Sequence, residues 1–180
     1  MSEQFSRCGW VKLSEPIYVA YHDEEWGKPL SDDHALFELF SLETQSAGLS
    51  WLTVLKKREG YRNAFAHFML EKVARMGEMD VERILQEGEV IKSRPKIEAI
   101  IHNAKLFEAI KKDPAKVVIG VGPALGNNDH ISFLMLAQRY GVNPASIKFV
   151  VYPQTAAEQI PALMGGHVQA ITIGLGEVLE

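Results

Sequence analysis

Five aromatic side chains flank a single carboxylate in the first third of this 180-residue sequence. The carboxylate belongs to Glu43, and the aromatic residues are Trp10, Tyr18, Tyr21, Trp26 and Trp51. Aromatic faces attract a cation, and a carboxylate neutralises it and accepts its N–H groups. The set therefore suits a flat, positively charged guest. Core packing is the commoner use of aromatic residues, so both interpretations stay open on the residues alone.

Cys8 and His22 are two side chains that could bind a metal ion. Structural zinc takes four ligands, usually cysteine and histidine in pairs, and this sequence contains one cysteine. On spacing alone, a small buried thiol and an unrelated imidazole are the commoner explanation. The pair therefore indicates at most part of a zinc site.

A short basic cluster follows the aromatic set and consists of Lys56, Lys57, Arg58 and Arg62. Such a cluster could contact phosphate groups, whereas a solvated helix face is its commoner role. The sequence gives no basis for a serine–histidine–aspartate or cysteine–histidine nucleophile.

A glycine-rich loop, Gly120–Gly126, lies between a predicted strand and a predicted helix. Its backbone N–H groups could hold an anion, but it lacks the glycine spacing of a dinucleotide fingerprint or a P-loop. His130 and His167 lie at a helix start or in a loop, where a structural role is favoured over a catalytic one.

The aromatic set and Glu43 belong to a part of the sequence that predicts helices. Ser31-Asp32-Asp33 offers an N-cap, and apolar residues follow it at intervals of three and four. Further helices are expected at residues 49–57, 73–86 and 95–112, the last with Pro95 in its first turn. Residues 1–107 are therefore predicted to be all-α.

The pattern changes after Pro114. Apolar runs predict strands at residues 117–121, 147–152 and 168–173, and helical spacing predicts helices at 127–140 and 155–164. Their alternation through short connections implies parallel pairing with right-handed crossovers. The predicted fold class is an all-α bundle followed by a βαβαβ unit over residues 108–180. A small parallel unit normally needs cover on both faces, which indicates part of a larger fold.

The composition changes near the same place. Charged residues number 35 in the first 113 positions and 7 in the last 67, and all three tryptophans lie in the first part. One explanation is a buried α/β layer that follows a charged helical layer within a single domain. The other is two pieces of different ancestry, and composition alone does not separate them.

Several functional classes are disfavoured by the chain as a whole. The net charge of −4 argues against a strongly basic nucleic-acid binder. No apolar run of about 18 residues is present, so no membrane span is expected. The start lacks a secretory signal, and one cysteine cannot form an internal disulfide. We therefore expect a cytoplasmic protein.

The first part closely resembles the type I 3-methyladenine DNA glycosylases. The matching text begins with Arg7-Cys8-Gly9-Trp10 and continues with YVAYHDEEWG and LETQSAGLSWLTVLKKREGYR. It goes on through DVERILQ and VIKSRPKIEAIIHNAK, and it ends near Lys105. These long motifs cover about 100 residues.

The resemblance implies hydrolysis of the N-glycosidic bond of 3-methyladenine in DNA, a step of base-excision repair. It also implies that damaged DNA or free 3-methyladenine is the partner. Glu43 would contact and charge-stabilise the base, which Tyr21 and Trp51 would hold between them. Trp10 and Trp26 would line or support the pocket.

Two features of that family are not matched in this sequence. Cys8 and His22 correspond to two of the family's four zinc ligands, and a second cysteine is lacking. The family's helix–hairpin–helix, which grips the DNA backbone, has no match after Phe107. Zinc is therefore possible but its ligand set is incomplete, and catalysis is expected to be impaired.

The second part resembles a segment of the periplasmic solute-binding proteins of tripartite tricarboxylate transporters. The shared text includes the glycine loop with Asp129-His130, the strand IKFVVY and the turn ALMGGHVQA. Those proteins close two α/β lobes around a small carboxylate, and part of one lobe would be present here.

The combination predicts a chimera, natural or constructed, that joins the two parts between Leu106 and Pro114. Its nearest functional label is a DNA-3-methyladenine glycosylase. The alternatives are a recombined or designed scaffold without native activity and a binding module for a small carboxylate.

Overall fold

The computed structural model describes residues 7–139, 141–154 and 156–172. Helices predominate in these residues, and three short strands form a small parallel sheet. The chain divides into two compact units between His102 and Asn103. A search of the described residues for a membrane-spanning helix finds none.

The first unit is built from helices. In chain order these are α1 (Pro16–Ala20), a π-helix (Tyr21–Glu25), α2 (Asp33–Gln45), α3 (Trp51–Leu55), α4 (Arg58–Ala64), a 3-10 turn (Ala66–Phe68), α5 (Leu70–Val73), α6 (Glu78–Glu87) and α7 (Arg94–Lys112). The last helix begins in the first unit and ends in the second.

Helix α2, which carries Glu43, is fixed at both ends by side chains. Asp32 is its N-cap, as the sequence predicts, and the carboxylate accepts a hydrogen bond from Ala35 N–H at 2.8 Å. At the other end Lys96 Nζ donates to the carbonyl oxygens of Gln45 and Ala47 at 2.8 and 2.9 Å. A cation at a helix C-terminus is favourable because it offsets the negative end of the helix dipole.

Aromatic residues fill the core of the first unit. Tyr61 stacks on Phe65 and Phe65 on Phe68, with ring centroids 6.1 and 6.0 Å apart, and all three residues are fully buried. The Tyr61 hydroxyl donates to Gln45 Oε1 at 3.1 Å and accepts from Ile91 N–H at 3.3 Å. Burial raises the pKa of this hydroxyl to about 12, so it stays neutral.

The turn after α4 has an unusual backbone. Ala66, His67 and Phe68 have φ angles of 51°, 53° and 55°, although none of them is glycine. This left-handed conformation costs L-residues about 1–2 kcal/mol each. Phe65 and Phe68 flank the turn with buried rings, so packing holds the backbone in place.

The second unit contains the sheet. Its elements are the end of α7, a 3-10 turn (Pro114–Lys116), β1 (Val118–Val121), α8 (Asn128–Arg139), a 3-10 turn (Pro144–Ser146), β2 (Lys148–Val151), α9 (Ala156–Met164) and β3 (Ala170–Thr172). The predicted strands are found within two residues of their expected bounds. Tyr140, Thr155 and Ile173, which the predictions include, lie outside the described residues.

The three strands are parallel, in the order β2-β1-β3. Val118 pairs with Lys148 at the start of one ladder, and Ile119 pairs with Ala170 at the start of the other. The central strand is buried, with Ile119 and Val121 fully enclosed. Strand β2 is largely open, because Val150 and Val151 keep 39% and 38% of their surface exposed.

Candidate functional site

The structure brings Tyr21 and Trp51 into direct contact, although 30 positions separate them in the sequence. Tyr21 is the first residue of the π-helix and is buried, while Trp51 is the first residue of α3 and is half-buried. Their ring centroids are 5.3 Å apart at an interplanar angle of 60°, a favourable edge-to-face arrangement.

Glu43 lies two residues before the end of α2, close enough to Tyr21 for its charge to act on the phenol. The residue as a whole is exposed, yet its carboxyl group is desolvated enough for burial to raise its pKa. The pKa of Tyr21 is also raised, first by burial and then by the charge of Glu43. The carboxylate and the phenol are therefore close enough to interact electrostatically. A poorly solvated carboxylate gains from a cationic partner.

The two rings touch each other directly in this structure, with centroids 5.3 Å apart. A ring sandwiched between two others separates their centroids by about 7 Å, which is twice an ordinary carbon–carbon contact. A base held between Tyr21 and Trp51 would therefore require these side chains to move apart. That placement of the base stays a prediction.

One polar group of this site has no partner in the protein. Trp51 Nε1 is buried, and no hydrogen-bond acceptor reaches it among the residues that the structure describes. The hydroxyl of Ser41, on α2, is in the same situation within the described residues. A buried donor without an acceptor costs about 1–3 kcal/mol and is uncommon. The candidate site therefore contains an N–H donor that no described residue matches.

Trp10 and Trp26 belong to a second aromatic group, which is centred on His22. The Trp26 ring stacks on the imidazole at 5.4 Å and 16°, and Trp10 meets it edge-on at 5.2 Å. Tyr18 contacts Trp10 at 5.1 Å. Both tryptophans stay partly exposed, at 38% for Trp10 and 48% for Trp26. Their role in lining a pocket stays a prediction.

The predicted metal ligands Cys8 and His22 are neighbours. Cys8 N–H donates to His22 Nε2 at 3.4 Å, and the other ring nitrogen lies 2.9 Å from Asp23 Oδ1. Arg7 binds both oxygens of the Asp23 carboxylate. No third potential metal ligand joins the pair among the described residues. The described residues therefore offer two ligands where a structural zinc site takes four.

The basic cluster is largely neutralised by ion pairs. Lys56 Nζ lies 2.8 Å from Glu15, and both arginines of the cluster bind the buried carboxylate of Glu38. Arg58 also pairs with Glu25 and Arg62 with Glu59. Three of the four cations are thus committed to carboxylates, so the phosphate-contact hypothesis loses its support.

The sequence reasoning missed this carboxylate network. Its members, Glu25, Glu38 and Arg58, come from three different elements. The one available signal was the spacing of Arg58 and Arg62, which places two cations on one face of a helix. Two neighbouring cations indicate that a carboxylate lies between them.

The comparison with known proteins agrees with the largely helical fold. The sequence profile of the methyladenine glycosylase family matches residues 10–118. The chain therefore belongs to the methyladenine glycosylase family. It is similar to DNA-3-methyladenine glycosylase 1 of Escherichia coli K12, with 56% identity over 101 residues, or 56% of this chain and 54% of that protein.

Solved structures of 3-methyladenine DNA glycosylases are also similar to this chain. A crystal structure of 3-methyladenine DNA glycosylase I is 37% identical with a TM-score of 0.59, over 77% of this chain and 85% of that chain. A second structure concerns 3-methyladenine recognition by the Staphylococcus aureus glycosylase I; it is 32% identical with a TM-score of 0.55, over 73% and 80% of the two chains. The present chain spans about half the length of the curated relatives that it matches.

Proposed function

We propose that this protein binds 3-methyladenine and hydrolyses its N-glycosidic bond in DNA. One observation carries the proposal: Tyr21 and Trp51 are in ring contact, and the desolvated Glu43 carboxylate lies close enough for its charge to act on Tyr21. Family membership and the reported 3-methyladenine recognition by the Staphylococcus aureus relative support it.

The reaction needs little assistance once the base is bound. Methylation at N3 gives the base a positive charge, and that charge weakens the bond to the sugar. When this bond breaks, its electron pair stays with the base, which leaves neutral. The oxygen of a water molecule bonds to C1′ of the sugar, and the proton of that water passes to solvent. The protein therefore acts mainly by extruding and selecting the damaged nucleotide.

Each residue of the site has a separate task in this proposal. Glu43 accepts N–H groups of the base and favours a cationic base over neutral adenine. An outer face of Tyr21 or Trp51 provides the stacking surface. The unmatched Nε1–H of Trp51 is a hydrogen-bond donor for a ring nitrogen of the base.

The first test is titration of the protein with free 3-methyladenine, followed by tryptophan fluorescence. A hydrogen bond to a charged group contributes about 1.5–3 kcal/mol, so Glu43→Ala should weaken binding by about 10- to 100-fold. Glu43→Gln keeps the size of the side chain and should also weaken binding. Adenine serves as the control ligand and should bind more weakly than 3-methyladenine.

Catalysis is tested separately with methylated duplex DNA. Release of 3-methyladenine by the wild type, and its loss in Glu43→Ala, are the expected results. A protein that neither binds the free base nor releases it from DNA at high protein concentration would contradict the proposed function. That outcome would favour the scaffold without native activity or the small-carboxylate binding module.

We also infer that the residues after about 107 have a separate origin and come from a solute-binding lobe. The lower charge density and the change to strand-forming sequence support this inference. The family match runs past residue 107 to residue 118 and counts against it. Sequences of close relatives over residues 95–125 would test it, because continuous family text through that segment would exclude a join.

Zinc remains a prediction of the resemblance alone. Cys8 and His22 offer two ligands where a structural site takes four, so the purified protein should contain less than one zinc per chain. Elemental analysis measures this directly. One tightly bound zinc per chain would show that further ligands exist.

A further inference from the structure

Arg58 contacts two carboxylates that belong to different elements. Its Nε donates to Glu38 Oε1 at 2.5 Å, and its Nη1 donates to the two oxygens of Glu25 at 2.7 and 2.9 Å. Glu25 ends the π-helix that Tyr21 begins, and Glu38 lies five residues before Glu43 in α2. Arg58 itself follows Trp51 by seven residues. One guanidinium on α4 therefore connects the π-helix that carries Tyr21 with the helix that carries Glu43.

The Glu38 end of this connection is shielded from solvent. The Glu38 residue is only 7% exposed, and its carboxylate also binds Nε and Nη2 of Arg62 at 2.9 and 2.8 Å. Burial alone would raise the pKa of Glu38, but the hydrogen bonds from Arg62 and Arg58 outweigh it and hold this pKa below its ordinary value. Glu38 is thus a carboxylate at neutral pH, and both arginines are held to it by charge as well as by geometry.

The charge of Arg58 also acts on the Tyr21 side chain. Burial is the main cause of the raised pKa of Tyr21, and the charges of Glu43 and Glu25 add to it, while Arg58 opposes it. Arg58 therefore lies within electrostatic range of the phenol. A planar guanidinium can bridge two carboxylates in fixed directions, whereas the ammonium group of lysine acts as a point charge without that directionality.

We propose that Arg58 is a positioning residue of the base site, which holds the Tyr21 segment in register with the Glu43 helix through Glu25 and Glu38. This inference rests on the proposed function. A site that is preformed in this way binds its guest without first having to order its own walls. A loosened site would spend part of its time in arrangements that do not bind, and its apparent affinity would fall by that fraction.

Arg94 supplies a matched control within the same unit. It also contacts three carboxylates, those of Glu78, Glu82 and Glu98, and it joins α6 to α7. None of its partners lies in the π-helix, α2 or α3. Arg94→Lys therefore weakens a set of more exposed ion pairs by the same substitution, without touching the segments that carry the site.

The experiment compares Arg58→Lys, Glu25→Gln and Arg94→Lys with the wild type by 3-methyladenine titration, well below the thermal midpoint of each variant. If about one molecule in ten of a loosened variant is competent, its affinity falls about tenfold. We expect that loss in Arg58→Lys and in Glu25→Gln, and no loss in Arg94→Lys. Glu25→Gln is the safer variant for folding, because the Glu25 side chain is 42% exposed. Unchanged affinity in both site variants, with thermal midpoints lowered as in Arg94→Lys, would overturn the proposal and leave Arg58 a stabilising residue.

A second measurement works without ligand. Near-ultraviolet circular dichroism reports the contact of Tyr21 with Trp51. The signal of this contact is identified as the part of the wild-type spectrum that is lost in Tyr21→Leu. This part should diminish in Arg58→Lys and Glu25→Gln and persist in Arg94→Lys. Persistence in all three variants would contradict the positioning role even if the wild type failed to bind 3-methyladenine. Failure of the wild type to bind, with the spectral loss present, would count against the proposed function alone.

Discussion

The two units of the chain hold their charged residues in different ways. In the first unit ion pairs join distant segments, such as Arg58 to Glu25 and Glu38, and one of those carboxylates is buried. In the second unit the ion pairs Lys112–Glu108 and Lys116–Asp113 link residues four and three positions apart. The core around β1 is mainly aliphatic. Polar contacts between distant segments fix the positions of particular side chains, which an aliphatic core does not do. We therefore expect the catalytic and binding residues to lie in the first unit.

The largest expected effect comes from one substitution made in both units. Ile84 in α6 and Ile119 in β1 are both fully buried. Ile84→Ala and Ile119→Ala should each lower the free energy of unfolding by about 2–5 kcal/mol. All three tryptophans lie in the first unit, so fluorescence-detected denaturation should report the loss in Ile84→Ala. Circular dichroism should report it in Ile119→Ala.

Ile84→Ala and Ile119→Ala also test whether the two units behave independently. Ile119→Ala should leave 3-methyladenine affinity unchanged, because the proposed site residues precede residue 103. If Ile119→Ala shifts the unfolding transition seen by tryptophan fluorescence as far as Ile84→Ala does, the two units unfold together. They would then not be independent of each other.

A smaller effect should separate the buried ion network from an exposed one. Glu38→Gln leaves Arg58 and Arg62 without their shared carboxylate, and breaking a buried ion pair costs about 3–5 kcal/mol. The two arginine side chains are still 19% and 32% exposed, so we expect a loss of about 2–3 kcal/mol. Glu82→Gln removes a surface partner of Arg94 and should cost less than about 1 kcal/mol. Equal losses in urea denaturation would show that burial of Glu38 is not decisive.

The smallest effect concerns acid stability. Hydrogen bonds from Arg7 and His22 lower the pKa of Asp23 from 3.8 to about 2. Because the folded state holds this carboxylate in its charged form, Asp23 stabilises the protein above pH 4 and loses that effect as the pH falls toward 2. The thermal midpoint of the wild type should therefore drop more steeply over this range than that of Asp23→Asn. In the second unit Lys116 lowers the pKa of Asp113, and Asp113→Asn should show the same sign. If the thermal midpoints of the wild type and of Asp23→Asn fell equally steeply with pH, Arg7 would not stabilise the charged form of Asp23.

The local features of the fold were readable from the sequence. Asp32 caps α2 as predicted, since an aspartate before an apolar helical pattern is a local signal. The strands were located because their apolar runs are short and bounded by glycine and proline. The resemblance selected Tyr21 and Trp51, which the structure brings together. The assignment of Glu43 and the aromatic residues to base binding remains a proposal.

Contacts between distant segments were not readable in this way. Nothing in the spacing of Glu25, Glu38 and Arg58 shows that they meet, because the meeting depends on how the π-helix, α2 and α4 pack. For the same reason the basic cluster was taken as a candidate for phosphate contact, although all but one of its named acidic partners lie 20 to 41 positions away. The edge-to-face contact of Tyr21 with Trp51 is likewise a product of packing.

The left-handed turn at Ala66–Phe68 offers a route to a sturdier protein. Three consecutive residues other than glycine hold φ angles above 50° there, so the native backbone stores strain that a glycine would release. His67 is exposed, and its side chain can be deleted without opening the core. Directed evolution for heat resistance should therefore select glycine at position 67 early, and the gain would come from relieved backbone geometry rather than from any added contact.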